Sequence, residues 1–155
     1  MAEEDGVPSA LPALALPALE GPPRDLSRTL HPALVVFGHG ECATTRLLLP
    51  FAERIHRGRR AGTEVVIVLQ DTAEDARALV RELRLHAPVL LDPPPFRFGS
   101  ALRARTVPLT MLVRSGLLEE AWPAFRRADL ERAAEQFGAA PLFGADEDVP
   151  ALRPG

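Results

Sequence analysis

Apolar runs separated by turns set the plan of this chain. "ALVVFG" (Ala33 to Gly38), "EVVIVLQD" (Glu64 to Asp71) and "LTMLVR" (Leu109 to Arg114) are nearly unbroken and rich in β-branched residues. A half-exposed strand alternates apolar with polar, so runs of this kind predict central strands buried on both faces. "APVLLD" (Ala87 to Asp92) reads as a further strand, and "SG" after Arg114 turns the chain into a hairpin partner, "LLEEAW". Between these runs the period lengthens. Leu48, Phe51, Ala52 and Ile55 recur at helical spacing from Cys42 to about His56, with Pro50 inside, which predicts a kinked helix. Thr72, followed by Glu74 and Asp75, opens a second helix to about Leu85. "PPPFRFGSALRAR" predicts a proline turn and a short helix, and Asp129 to Phe137 a last one. Leu14 to Leu19 and Leu26 to Leu30 are expected as short elements, the first an edge strand because of Pro17.

The order is two short strands, then β-α-β-α-β-(α)-β-β-α. It predicts an α/β fold: a mixed central β-sheet flanked by helices, with an N-terminal β extension. The 155 residues suit one domain with one sizeable core. Residues 1–10 are expected to be disordered, 11–138 to form the domain, and the Pro-rich, acidic 139–155 to be a flexible tail.

Composition changes this picture little. Net charge is −3, which argues against nucleic acid as a partner. "HRGRR" lies at a helix C-terminus, where cations suit the dipole, and reads as a solvated turn. No segment reaches the roughly 18 apolar residues of a membrane span. The first residues are acidic and interrupted by prolines, unlike a signal peptide, so a cytoplasmic location is expected. One cysteine leaves no internal disulfide, and scattered histidines show no ligand spacing, so no metal is expected.

The chemistry gathers in "VVFGHGECATTRLLLPF". Cys42 follows a strand and a small turn and opens a helix. Free N–H groups and the positive dipole end there favour thiolate and lower the pKa below about 8.5. The bland alternative is a small buried hydrophobe. Thr45, three residues on, is either a helix cap or a partner of the sulfur. His39 is a candidate for stabilising the anion or moving protons. Arg46 is either a surface charge or a clamp for an anionic substrate such as the glutathione carboxylate. Gln70 ends a buried strand at the sheet edge where sites gather; its alternative role is a loop hydrogen bond.

A cysteine between the first buried strand and a proline-kinked helix resembles the thioredoxin-like superfamily. Phe37, Cys42, Thr45, Arg46 and Pro50 fall in the frame of the TlpA-like reductases, aromatic-x-x-x-x-C-x-x-C-R with a nearby proline. "LALPALEGPPRDLS", "APVLLDP" and "LRARTVPLTMLV" resemble further segments of that group and of peroxiredoxin-like proteins. The resemblance implies that Pro108 is a cis-proline set against the active sulfur, with Val107 beside it in substrate binding. One departure is decisive for chemistry: Thr45 stands where a two-thiol enzyme has its resolving cysteine. "CATT" is similar at that spot to glutathione peroxidases, with Gln70 near the place of their glutamine. The resemblance and the lone sulfur together imply a single-cysteine thiol oxidoreductase, most concretely a thiol-dependent peroxidase. Its substrate is a small peroxide or disulfide, and an external thiol such as glutathione or thioredoxin is the reductant. The alternative is a non-catalytic redox sensor or peptide-binding module using the groove beside Pro108.

Overall fold

The computed structural model describes residues 8–155. The strands are β1 (Ala15–Leu16), β2 (Arg24–Asp25), β3 (Ala33–Gly38), β4 (Glu64–Leu69), β5 (Val89–Leu91), β6 (Leu109–Arg114), β7 (Leu117–Pro123), β8 (Phe125–Arg126) and β9 (Leu152–Arg153). The helices are α1 (Ala43–Gly58), α2 (Ala73–Leu83), α3 (Arg97–Leu102) and α4 (Arg127–Gln136).

One five-stranded sheet in the order β5-β4-β3-β6-β7 forms the centre. β3, β4 and β5 run parallel; β6 and β7 are antiparallel. The apolar runs are unbroken because alternate residues of each central strand enter different cores. Leu34 and Val36 of β3 join α1, α2 and α4 on one face. Val35 and Phe37 join α3 and the N-terminal segment on the other. The tight β6–β7 turn needs positive φ at both residues, Ser115 (53°) and Gly116 (76°). At Gly116 an added Cβ would lie 2.2 Å from the Ser27 carbonyl oxygen, so only glycine fits.

Sheet edges expose unpaired backbone groups, and here the N-terminal segment covers both. Leu19 N–H donates to Val89 and Leu91 N–H to Pro17, at 2.9 and 2.8 Å, beside β5. Leu11 N–H donates to Gly116 and Leu118 N–H to Ser9, both at 2.9 Å, beside β7. The expected disorder of residues 1–10 is therefore corrected at its end by this pairing; residues 1–7 lie outside the described residues. The Leu26–Leu30 element is a short 3₁₀ turn (Leu26–Arg28) rather than a strand.

A larger correction concerns residues 139–155, expected as a flexible tail. Leu142 and Phe143 are buried in the α1/α4 core, with the Phe143 ring 4.8 Å from that of Phe51 and 6.3 Å from that of Phe125. Arg54 of α1 holds both oxygens of Glu147, at 2.8 and 2.6 Å. The chain then continues to β9, which pairs with β8. Two apolar anchors and one bidentate ion pair outweigh the Pro-rich, acidic composition that reads as mobile.

Candidate active site

β3 ends at Gly38 and α1 begins at Ala43, so His39 to Cys42 turn the chain over the sheet edge. The turn is held from outside. Asp71, just past β4, is buried, and both its carboxylate oxygens accept the Gly40 N–H, at 3.0 and 3.1 Å. Gly40 has to be glycine: an added Cβ would lie 2.5 Å from Asp71 Oδ2. Cys42 N–H closes the turn onto His39 O at 3.0 Å, and Arg46 N–H makes a first helical bond to Cys42 O at 3.0 Å. Cys42 thus sits at the N-cap of α1, with extended backbone and a half-buried side chain.

Thr45 is wholly buried one turn into α1. Its hydroxyl accepts the His39 N–H at 3.4 Å, which leaves its proton free to donate. Burial pushes the Cys42 thiol up. The nearby Thr45 hydroxyl and the Thr45 and Thr44 N–H groups of the first helical turn, with the charge of Arg153, favour the thiolate enough to outweigh burial and hold the thiol below its ordinary value; the sulfur itself makes no N-cap hydrogen bond. In its protonated form the sulfur donates to Val107 O at 3.6 Å. The Val107–Pro108 peptide is cis, and Pro108 O accepts the Ala124 N–H at 3.0 Å, tying it to the entry of β8.

Cys42, Thr45, Val107 and its neighbour Pro108 are thus brought together. Three other candidates are placed differently. His39 turns its ring back on the loop, where Nδ1 accepts the Glu41 N–H at 3.0 Å; it makes no hydrogen bond to the sulfur. Gln70 donates from Nε2 to Asp92 at 3.1 Å. Asp92 is buried and also accepts Phe98 and Gly99 N–H, so it fixes Gln70 onto the start of α3. Gln70 lines a cavity of about 360 Å³ with Phe37, Ser100, Thr106 and Val107, and Val107 is the one of these hydrogen-bonded to the sulfur. Arg46 donates to Gly40 O at 3.1 Å and pairs with Glu82 of α2, so its charge braces the turn.

Three contributors escape sequence reasoning. Asp71 carried a signal, an acid immediately beyond a buried strand at the edge that carries Cys42. Thr44 reads in the sequence as a helix cap, but its hydroxyl donates instead to Pro154 O at 2.6 Å, and Arg153 carried no signal because it lies about 110 residues away in the chain. Among the described residues no three His, Cys, Asp or Glu side chains cluster as metal ligands, and no helix is long and apolar enough to cross a membrane.

No protein-family model matches the chain, and no curated protein matches it. Solved structures do. A proposed thiol:disulfide interchange protein DsbE from Chlorobium tepidum is 26% identical, with a TM-score of 0.73, covering 88% of this chain and 98% of that one. A thiol:disulfide interchange protein from Bacteroides sp. is 21% identical, with a TM-score of 0.74, covering 95% of each. A secreted disulfide oxidoreductase of Mycobacterium tuberculosis is 14% identical, with a TM-score of 0.69, covering 80% of this chain and 96% of that one. The fold is thioredoxin-like, of the kind found in thiol:disulfide oxidoreductases. None of the three is described as a peroxidase.

Proposed function

We propose that the protein is a single-cysteine thiol oxidoreductase in which Cys42 exchanges with a disulfide and an external thiol completes the turnover. One observation carries this reading: the half-buried sulfur sits at the N-cap of α1, beside the buried Thr45 and against the cis Val107–Pro108 peptide. The Cys42 thiolate attacks one sulfur of a mixed disulfide, such as a peptide joined to glutathione. A new S–S bond forms to Cys42, the old one breaks, and the peptide leaves as a thiolate that takes a proton. A second glutathione thiolate then attacks this bond, releasing glutathione disulfide and Cys42 thiolate. Thr45 cannot act as a resolving group, so the second thiol must come from another molecule. The scheme suits any compartment that supplies a small thiol.

Peroxide is the other oxidant this thiolate can meet. Attack on one peroxide oxygen breaks the O–O bond and leaves a sulfenic acid and an alcohol or water. Two external thiols then restore Cys42, releasing water and a disulfide. Gln70 and His39, hydrogen-bonded elsewhere, lend this route no support, so disulfide exchange is the better-supported reaction. Comparing turnover of a glutathionylated peptide and of hydrogen peroxide, each with glutathione, decides between them. Absence of both turnovers in the wild-type chain, or their persistence in Cys42→Ser, overturns the proposal. A non-catalytic peptide-binding reading is favoured by one observation, the extended segment lying at Val107. It requires partner capture that survives Cys42→Ser.

A further inference from the structure

The surface beside the Val107–Pro108 peptide, next to the sulfur, is already occupied by the chain itself. β9 runs antiparallel to β8, with Phe125 opposite Arg153 and Arg126 opposite Leu152. Arg127 N–H donates to Ala151 O at 3.0 Å. Pro154 O takes the Thr44 hydroxyl at the mouth of α1. Gly155 then lies against the cis peptide, so close that an added Cβ would fall 1.7 Å from Val107 O and 3.3 Å from Pro108 Cδ. Val107 O is the atom the Cys42 sulfur contacts. An extended segment therefore spans from the β8 edge to the peptide bond beside the sulfur.

We propose that Ala151–Gly155 is an intramolecular gate: it fills the peptide-binding face beside Cys42 and must lift before a disulfide-bearing peptide can reach the sulfur. This rests on the reading of Cys42 as a reactive thiol. The two parts of the C-terminal stretch are held unequally. Upstream, Leu142 and Phe143 are buried and Glu147 is clamped by Arg54. Ala151 to Gly155 are all exposed, Leu152 at 63%, so the gate is tied mainly by backbone contacts and lifts at small cost. Small reagents pass around such a cover more readily than an extended peptide, which needs the same backbone-facing surface. The gate also brings the Arg153 charge towards the sulfur, which favours the thiolate.

The test compares the full chain, a chain ending at Pro150 and the Gly155→Ala variant. Removing Ala151–Gly155 takes away no buried side chain, so the rest stays folded. Cys42 is treated with iodoacetamide and with a short neutral peptide carrying a glutathione disulfide. The peptide rate is divided by the iodoacetamide rate at the same pH, which removes the change in thiolate fraction when Arg153 is lost. The expected ratio rises about tenfold or more in the shortened chain, since a covered site reacts in proportion to its open fraction, and part of the way in Gly155→Ala. If iodoacetamide labels all three chains and the ratio does not move, the gate is wrong while the reactive cysteine stands. Were iodoacetamide to label none of them at neutral pH, the reactive-cysteine reading would fail and the gate with it.

Discussion

Replacing Thr45 by Val tests what makes Cys42 a nucleophile. The two side chains have nearly the same shape, and Thr45 is wholly buried against Gly38, where an added Cβ would lie 2.6 Å from its Cγ2. Valine therefore keeps the packing and removes only the hydroxyl. That hydroxyl accepts one N–H at the long distance of 3.4 Å, a weak bond, and its proton is free to turn to the Cys42 thiolate, whose pKa it helps to lower. A hydrogen bond to a charged group contributes about 1.5–3 kcal/mol. At about 1.36 kcal/mol per pKa unit, the Cys42 thiol should rise by about 1–2 units. The thiolate fraction below both values then falls by about 10- to 100-fold, while the more basic sulfur becomes intrinsically more nucleophilic with a Brønsted slope of about 0.4–0.5. Alkylation at fixed pH on the acid side should slow by about 3- to 10-fold. Iodoacetamide labelling followed by intact mass across a pH series reads both the midpoint and the plateau. A midpoint identical in wild type and Thr45→Val refutes the reasoning and makes Thr45 a packing residue.

Glu53 offers a stability test with a pH sign. Its buried carboxylate accepts His86 and Ala87 N–H at 2.7 and 3.0 Å and pairs with Arg57 at 2.9 Å. Burial pushes its pKa up, but these donors outweigh burial and hold it below the ordinary value. Its contribution is complete above the unfolded pKa and is lost as pH falls through the folded one. Glu53→Gln should cost about 2–4 kcal/mol at neutral pH by urea unfolding, with the gap to wild type closing in acid. Phe143→Ala should cost about 3 kcal/mol in the same assay, because it empties a buried aromatic cluster; a mobile tail would give no change. Glu147 is drawn down to about 2 by Arg54 and the Gly144 N–H. Its hold is therefore full above about pH 4.3 and lost as pH falls through about 2. Amide exchange at Gly144 should accelerate over that acid range, and Glu147→Gln should show the faster exchange already at neutral pH.

The central strands, the helices between them and the position of the sulfur were all legible along the chain. Those features rest on local pattern: Val35 and Val36 are both apolar because each faces a core, and Cys42 follows a strand and opens a helix. Thr45 was legible as a neighbour of the sulfur because helical spacing brings it there. What the remaining candidates face depends on long-range packing. Gln70 ends β4 as expected, but Asp92, more than 20 residues on, captures its amide. Asp71 reaches a turn 31 residues back. The C-terminal stretch reads as mobile because its composition is polar and Pro-rich, yet Arg54 and Glu147, 93 residues apart, pin it. Hydrogen bonds and ion pairs of this range leave no periodic trace, since each needs only one residue at each end and the fold supplies the meeting. For the same reason no local pattern could place Gly155 against Val107, the residue whose carbonyl the sulfur contacts.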